Sequence, residues 1–473
     1  MNCALYKHTL WMNNRILTMK NRYQFRRLLK SFRKFDPITI LGFLIVLFLG
    51  IRLIAPPATL KFVVPKEEAK FWRPLVEQFN DQNRIRIKLA NLDPTQPINP
   101  DNTEAVKEAY IAALEAETPY DLIYMDIIWV PEFAEAGMLV DLSKDFLPED
   151  LKREFLVSEV DNGIYQDKLY RVPFRTDIGV LYYRKDLLEQ AQKDPPETFK
   201  DLINISRELQ MQEDIPSDYL WQGKPSESLV AMFVEVLHGF GGYWINWDGE
   251  EFQVGLDQDE AINAVKFLLQ TVKEGISPRH INDLRELDTL DLFQRGQAVF
   301  MRHWPYAWNL SHGPDADAIR GKIGIIPMVH AEGETSGGCK GGWGFGIAKQ
   351  TRYKQDAIKA VKFFASAAAQ RQFTLSFGSV PSRRRLFFDP QIVARYNHYP
   401  DLLNLMDSGS WISRPRIPEY AQVSCILQEH LGKVLNPDQN GPTPKAAMTK
   451  AAEETRQLLA DKQDSECEIS SEN

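Results

Sequence analysis

The chain has 473 residues, of which 44% are hydrophobic and 25% are charged, and its formal net charge at pH 7 is -8. That length exceeds one typical domain, and that composition supplies enough apolar side chains for a sizeable core. The acidic balance argues against nucleic-acid binding, which requires a basic face.

The N-terminal segment carries the opposite charge. Residues 1–36 hold nine Lys or Arg and one acid, a balance of +8, so the remainder carries -8 minus +8, or -16. The apolar run 38–51 follows, and this order is typical of an export signal or a membrane anchor. We predict a basic cytoplasmic segment over 1–36 and an uncleaved transmembrane anchor over 37–55, with a cleaved signal as the alternative. The body would then lie at the periplasmic or extracellular face of the cytoplasmic membrane.

The cysteines and histidines limit redox and metal chemistry. Two of the four cysteines lie near the termini, which leaves Cys339 and Cys425 as the pair deep in the body. An oxidising compartment permits a disulfide between them, although the sequence does not show one. No Cys-x-x-Cys occurs, and His303, His312 and His330 lack metal-ligand spacing. We expect no metal and no cofactor.

The body begins with alternating strand and helix patterns. The predicted order is strand 60–64, helix 67–80, strand 85–89, helix 103–116 and strand 121–124. This alternation predicts an α/β fold with a parallel sheet covered by helices. Asp126 follows the third strand, where its carboxylate either faces a ligand crevice or caps the helix that begins near Pro131.

Further elements continue the α/β pattern. Residues 169–188 predict a strand, a break at Pro173, a second strand and a helix, and such a proline suits a crossing between two lobes. The later predictions are helices 228–238, 261–273 and 357–364, strands 322–328 and 344–348, and a loop over 337–343.

Residues 295–308 hold a cluster of large aromatic residues. A short strand is predicted at 297–301, and Pro305 marks its opening into a loop. Trp304, Tyr306 and Trp308 thus lie where a strand ends, and ligands of α/β sheets bind beyond such ends. A ring with a polar edge can stack on a sugar while its NH or OH reaches a hydroxyl. The alternative is that these rings belong to the core.

Six motifs occur in an order found in one protein family. They read Tyr-Asp-Leu-Ile-Tyr-Met-Asp, Phe-Ala-Glu-Ala-Gly-Met-Leu-Val-Asp-Leu, Val-Pro-Phe-Arg-Thr-Asp-Ile-Gly-Val-Leu-Tyr-Tyr-Arg-Lys-Asp-Leu-Leu, Gly-Phe-Gly-Gly-Tyr, Phe-Gln-Arg-Gly-Gln-Ala-Val-Phe-Met-Arg-His-Trp-Pro-Tyr-Ala-Trp and Gly-Gly-Trp-Gly-Phe-Gly-Ile-Ala. Over residues 60–460 the chain resembles the family 1 extracellular sugar-binding proteins of ABC importers, most closely their trehalose and maltose branch.

The resemblance implies a periplasmic-binding-protein fold of type II. Two α/β lobes would be joined by three crossings and would close on a ligand. By that analogy, lobe 1 comprises 60–172 and 328–378, and lobe 2 comprises 173–327 and 379–465. Residues 466–473 are predicted to form a disordered tail.

The resemblance also implies a set of ligand-binding residues. Trp304, Tyr306 and Trp343 match its stacking surfaces, Gly342 would allow close approach, Asp126 and Asp177 match carboxylates that accept sugar hydroxyl protons, and Arg414 matches an arginine that closes the cleft. Arg416 is a rival to Arg414, and Glu68 is a further candidate from the first loop. Trp221 is a candidate stacking ring or a core residue.

Arg175 departs from the family pattern. It stands two positions before Asp177, where trehalose and maltose members usually have an aromatic residue. The change would disfavour one glucosyl ring and could admit a smaller, more polar or anionic group. In the empty cleft, Arg175 could instead pair with Asp126 or Asp177.

The resemblance implies a non-enzymatic, substrate-binding subunit of a bacterial ABC transporter. It would capture a disaccharide or a small glycoside, such as trehalose, maltose, sucrose or the compatible solute glucosylglycerol, and deliver it to the permease subunits. We expect a monomer held at the membrane by its N-terminal helix. The alternatives are a membrane-anchored sugar sensor and a glycoside hydrolase, which needs two carboxyl groups about 5 to 10 Å apart. The sequence shows no dedicated pair.

Overall fold

The computed structural model describes residues 59–92, 103–116, 120–211, 219–436 and 441–471. The predicted basic segment 1–36 and the predicted anchor 37–55 lie outside these residues. Within the described ranges, no helix is both long enough and apolar enough to cross a membrane.

The strands are mostly short. They are β1 Thr59–Phe62, β2 Arg86–Leu89, β3 Leu122–Asp126, β4 Ile164–Tyr165, β5 Lys168–Leu169, β6 Val172–Ile178, β7 Val180–Arg184, β8 Tyr219–Leu220, β9 Ile245–Trp247, β10 Phe252–Val254, β11 Phe300–His303, β12 Ile323–Ile326, β13 Gly338–Ile347, β14 Val380–Pro381 and β15 Trp411–Ile412.

Helices occupy most of the remaining chain. They are α1 Ala69–Gln82, α2 Thr103–Glu115, α3 Val130–Glu135, α4 Pro148–Glu154, α5 Val157–Asp161, α6 Lys185–Gln190, α7 Phe199–Gln210, α8 Glu227–Gly239, α9 Asp259–Lys273, α10 Glu286–Gln294, α11 Ala307–Leu310, α12 Lys354–Phe364, α13 Ala367–Phe377, α14 Pro390–Arg395, α15 Tyr399–Asp407, α16 Tyr420–Leu435 and α17 Pro444–Ser471. Short 3-10 turns include Ile127–Trp129 and Arg384–Phe388.

The described residues form two larger sheets. Sheet A has the order β14-β6-β13-β15, with β3 also paired to β13. Sheet B has the order β12-β7-β11-β8. The predicted parallel sheet is confirmed only in part: β1 and β2 pair in parallel, whereas β3 pairs antiparallel with β13, which also runs antiparallel to β6.

The core of sheet A is an aromatic cluster around Trp72 of α1. Its fully buried ring lies 4.7–5.6 Å, centroid to centroid, from the rings of Phe62, Phe174, Phe345, Phe364 and Phe373. These rings come from β1, β6, β13, α12 and α13, so together with α1 the cluster joins six elements. Edge-to-face and tilted contacts of this kind stabilise a core beyond the area that they bury.

Pro173 does not divide two strands as predicted. It lies inside β6 and faces Gly344, where the register with β13 shifts between Trp343 and Gly344. Such an irregularity tolerates a residue that cannot donate to the ladder. The chain instead leaves sheet A for sheet B at Gly179, between β6 and β7.

The loop predicted over 337–343 is also wrong. These residues belong mainly to β13, in which all ten residues are buried. Glycines occur here because the neighbouring backbone is close: a Cβ on Gly344 would lie 2.4 Å from the carbonyl oxygen of Val172. The glycines therefore permit a tightly packed strand rather than a turn.

The C-terminal helix is long. α17 spans Pro444–Ser471 and so overlaps the tail predicted over 466–473. Its first turns are anchored by buried Ala447, Met448 and Leu459. Once a helix is nucleated by packing, each further residue adds a hydrogen bond at low cost.

Candidate functional site

A cavity of about 400 Å³ is lined by residues of sheet A, by Trp304 and Tyr306 just after β11 of sheet B, and by residues of neighbouring helices and loops. All nine predicted ligand-binding residues line this cavity: Glu68, Asp126, Arg175, Asp177, Trp304, Tyr306, Gly342, Trp343 and Arg414. Its volume is in the range of small-molecule sites.

Strand register explains how sheet A contributes to the cavity. Trp343 of β13 is paired with Asp126 of β3 on one side and with Arg175 of β6 on the other. Gly341 is paired with Asp177 in the same way. Three neighbouring strands thus bring a ring, a carboxylate and a guanidinium together at one edge of the sheet.

Arg175 is the centre of a buried polar network. It pairs with Glu68, with Nη2 to Oε1 at 2.8 Å, and with Asp177, and its Nε donates to the Tyr124 hydroxyl at 3.0 Å. The other oxygen of Glu68 accepts from Trp72 Nε1 and from the Tyr124 hydroxyl, both at 3.1 Å. Burial raises the pKa of Asp177, and the Arg175 charge opposes that effect.

Arg414 forms a second network across the cavity. Its Nη1 pairs with Glu227 at 2.6 Å, and its Nη2 lies 3.4 Å from Asp126 Oδ1. Glu227 also accepts from Tyr420 and from Ser424. Burial raises the pKa of Glu227, and Arg414 opposes the change.

Asp126 lines the cavity and caps the 3-10 turn after β3, not the helix that begins near Pro131. Its Oδ1 accepts from the Ile128 backbone N–H at 3.3 Å, and so caps the 3-10 turn that follows β3. The same side chain lines the cavity and contacts Arg414.

Trp304 and Tyr306 follow β11 and are both held by Glu286. Glu286 Oε1 accepts from Trp304 Nε1 at 2.6 Å and from Ser228 Oγ at 2.9 Å, and its Oε2 accepts from the Tyr306 hydroxyl at 3.3 Å. The polar edges of both rings are therefore engaged by a protein carboxylate. Both rings and Glu286 line the cavity.

The remaining aromatic contacts fix the other rings of the wall. Tyr306 stacks on Phe377 with centroids 5.3 Å apart. Trp343 packs against Tyr124 at 4.9 Å and against Trp129 at 5.4 Å, and the Arg175 guanidinium lies 5.4 Å from its ring centroid.

Gly342 has a structural explanation that differs from the prediction. A Cβ at this position would lie 2.7 Å from Glu159 Oε2 and 3.1 Å from the Arg175 carbonyl oxygen. Glu159 is fully buried and is held by Arg171 and Thr176. The absence of a side chain at Gly342 therefore makes room for Glu159, and this explanation does not depend on a ligand.

Three other predicted or alternative candidates lie elsewhere. Trp221 is fully buried and donates to Ser277 Oγ at 3.0 Å, so it is a core residue. Trp308 is half-buried against His398, outside the cavity lining. Arg416 donates to backbone carbonyl groups on the surface.

Cys339 and Cys425 are both free, one buried and one exposed, so the disulfide that the sequence permits is not formed. In the part of the chain that the structure describes, no group of three or more His, Cys, Asp or Glu side chains could hold a metal ion.

Sequence reasoning missed several acidic residues of the cavity wall, of which the most informative are Glu67, Glu104, Glu227 and Glu286. Glu227 and Glu286 begin helices α8 and α10, a favourable place for an acidic residue. That local signal explains the residue type but does not indicate a cavity.

The cavity wall is acidic. It contains eight carboxylates, Glu67, Glu68, Glu104, Asp126, Asp177, Glu227, Glu286 and Asp288, and four cations, Arg175, Lys224, Arg285 and Arg414. Burial raises the pKa of Glu67 to about 7, because desolvation opposes its ionisation, and Glu68 and Glu286 add to the shift. The site is thus rich in hydrogen-bond acceptors beside exposed ring faces.

Comparison with known proteins identifies related chains. Residues 65–371 match the family model described as bacterial extracellular solute-binding protein. The chain is 26% identical over 324 residues to a Deinococcus radiodurans protein named "Probable ABC transporter-binding protein". The alignment covers 67% of this chain and 75% of that protein. The range 65–371 includes the predicted site residues apart from Arg414.

Solved structures are similar over most of the body. Maltose-bound MalE3 of T. maritima has a TM-score of 0.77 and 30% identity, over 86% of this chain and 100% of that chain. A solute-binding protein of Thermotoga lettingae with bound α-D-tagatose has a TM-score of 0.72 and 21% identity, over 85% of this chain and 100% of that chain. The latter comparison concerns the fold alone.

Proposed function

The chain belongs to the bacterial extracellular solute-binding proteins, and from that premise we propose that it is the sugar-binding subunit of an ABC importer. The observation that carries the proposal is the cavity in which Trp304 and Trp343 lie beside the acceptor groups of Asp126 and Glu286. Ring faces stack on the apolar side of a sugar, and carboxylates accept its hydroxyl protons.

The charge of the cavity supports an uncharged polyhydroxy ligand. The Arg175 guanidinium is already engaged by Glu68 and Asp177. An anionic group would face the excess of carboxylates described above, so the anionic ligand considered from the sequence is disfavoured. Arg175 also stands at a position where family members usually have an aromatic residue, which favours a compact disaccharide or a sugar-linked polyol. Trehalose, maltose, sucrose and glucosylglycerol are the candidates.

The rest of the proposal concerns the membrane. The basic segment 1–36 and the apolar segment 37–55 would anchor the body at the outer face of the cytoplasmic membrane. The protein would act there as a monomer and deliver its sugar to the permease subunits. A sensor would use the same sugar site, and co-purification with a permease rather than a kinase separates the two roles.

Hydrolysis is disfavoured by the ion pairs of the site. A glycoside hydrolase needs one carboxyl group free to donate a proton and a second free to attack or to activate water. Glu68 and Asp177 are engaged by Arg175, and Glu227 is engaged by Arg414. Glu67 differs from these residues, because its raised pKa favours the protonated form that a general acid needs. Any bound disaccharide is therefore also checked for cleavage by chromatography.

Calorimetric titration of the full-length protein with the four candidate sugars tests the proposal. We expect one of them to bind with micromolar or tighter affinity and to be recovered intact. Trp304→Ala should weaken that binding by about tenfold or more, since it removes a stacking face. Trp308→Ala is the matched control, because Trp308 lies outside the cavity lining, and it should bind as the wild type does. Absence of binding by all four sugars would contradict the proposal.

A further inference from the structure

Arg302 lies directly against the Trp304 ring. It belongs to β11 and is fully buried, and its guanidinium carbon is 4.2 Å from the ring centroid. Glu235 of α8 holds the guanidinium by two hydrogen bonds, from Nε at 2.7 Å and from Nη2 at 2.5 Å. Arg302 therefore covers one face of Trp304, and the ring lines the cavity with the rest of its surface.

The partner of Arg302 is itself immobilised by backbone groups. Glu235 Oε1 accepts from the Cys339 backbone N–H at 2.9 Å. Gly179 has no Cβ, and one placed there would lie 1.7 Å from the same oxygen. Gly179 joins β6 to β7, and Cys339 begins the return into β13, so both contacts lie where the chain passes between sheets A and B.

A purely stabilising role does not explain this pair. Removing two charges from water costs free energy, and well-packed apolar residues often stabilise a core equally well. An apolar side chain beneath Trp304 would also pack against the ring, but it would present no hydrogen-bonded plane to align it. A planar guanidinium held by two hydrogen bonds fixes the plane against which the ring stacks.

The edge of the ring is fixed independently. Trp304 Nε1 donates to Glu286 at 2.6 Å, and Glu286 also accepts from Ser228 of α8. Glu235, which holds Arg302 against the ring face, and Ser228, which bonds Glu286 at the ring edge, both lie on α8. The same helix therefore restrains the face and the edge of Trp304. One ring face remains without either restraint.

We infer that Arg302, held by Glu235, is a positioning residue that sets the Trp304 ring for ligand stacking before a ligand arrives. The inference rests on the proposed sugar-binding function. Arg302 acts through Trp304 and does not touch the ligand. Preorganisation of this kind increases affinity, because less ordering remains to be done on binding.

The test is a double-mutant cycle on full-length protein, with the sugar from the titrations above as the probe. Arg302→Met should weaken binding by about tenfold in the wild type and by much less in the Trp304→Ala background. Arg302→Lys should restore only part of the affinity, because a lysine cannot provide the planar fork. Glu235→Gln, which preserves the shape of the side chain, should show the same dependence on Trp304.

A ligand-free measurement separates this inference from the proposed function. The near-UV circular dichroism of Trp304, taken as the difference between each protein and its Trp304→Phe derivative, should diminish in Arg302→Met. Arg171→Met is the matched control, because Arg171 is equally buried and pairs with Glu159 instead. It should lower thermal stability and leave the Trp304 band unchanged.

The outcomes are distinct. A loss of stability in folded Arg302→Met and Glu235→Gln, with an unchanged Trp304 band, would overturn the inference and leave the sugar proposal standing. Equal losses of affinity in the presence and absence of Trp304 would also overturn it. If no candidate sugar binds the wild type, the proposed function fails, and a diminished band still supports the fixing of the ring by Arg302.

Discussion

Removal of Arg175 should destabilise the protein in a pH-dependent manner. Arg175→Met leaves two buried carboxylates without their cation, since Glu68 is 2% exposed and Asp177 is 5% exposed. Glu68 retains hydrogen bonds from Trp72 and Tyr124. Asp177 loses the guanidinium that contacts its Oδ2, and its buried Oδ1 has no hydrogen-bond partner. Most of the cost should therefore come from Asp177.

Removing one partner of a buried ion pair lowers the free energy of unfolding by about 3–5 kcal/mol, and we expect a loss of this size for Arg175→Met. Without Arg175, the pKa of Asp177 in the folded protein lies further above its unfolded value. The penalty is therefore fully present above the folded pKa, and it disappears as the pH falls towards the unfolded value of about 4. Arg175→Met should lower the free energy of unfolding strongly at pH 8 and much less at pH 5.

Urea unfolding at the two pH values measures this effect. The double variant Arg175→Met/Asp177→Asn should recover part of the loss at pH 8, since it removes the stranded charge. Arg416→Met is the control, because Arg416 is exposed and donates only to backbone carbonyl groups, and it should change stability by less than about 1 kcal/mol. A loss in Arg175→Met that is equal at pH 5 and pH 8 would refute the reasoning.

Three further predictions concern the cavity wall and the thiols. Burial raises the pKa of Glu67 from its ordinary 4.5 to about 7, so the folded state loses stability as the pH rises from about 4.5 to 7, and the loss is complete above 7. Glu67→Gln should therefore raise stability by about 1–3 kcal/mol at pH 8 and leave thermal unfolding at pH 4.5 nearly unchanged. Gly342→Ala should cost about 1–3 kcal/mol in urea unfolding through its clash with Glu159, and a loss below 0.5 kcal/mol, roughly the scatter of neutral substitutions, would contradict that contact. In a variant whose two terminal cysteines are replaced by serine, a thiol reagent should label Cys425 in the native protein and Cys339 only after unfolding. Cys339 is buried, and burial raises its pKa to about 12. Labelling of both thiols in the native protein would contradict this prediction.

Local sequence patterns were sufficient for much of the fold. Apolar spacing over 261–273 predicted the helix Asp259–Lys273, and the pattern over 85–89 predicted the strand Arg86–Leu89, because the period of the apolar residues matches the element. Glycines and prolines were less informative. Pro173 and Gly344 face each other at a strand irregularity, and a local rule interprets each of them as a break.

The candidate site was predicted through the family resemblance rather than through local chemistry. The motif matches brought Asp126, Trp304 and Trp343 to one cavity. Glu286 was missed, because its contacts with Trp304 and Ser228 join residues 18 and 58 positions away. No short-range pattern indicates such a contact.

The engagement of Arg175 by both Glu68 and Asp177 could not be predicted in full for the same reason. The Asp177 partner stands two positions away and was considered, whereas Glu68 stands 107 positions away. Pairings at that separation depend on how the strands are arranged, and strand register is set by packing across the whole sheet.

The central claim is that the Trp304 face and the neighbouring carboxylates form a sugar site. A crystal structure of the protein grown with the sugar that binds most tightly in the titrations tests this claim directly. We predict a sugar ring stacked on the Trp304 face opposite Arg302, with hydroxyl groups donating to Asp126 or Glu286. A sugar bound outside this cavity, or an empty cavity at saturating sugar, would contradict it.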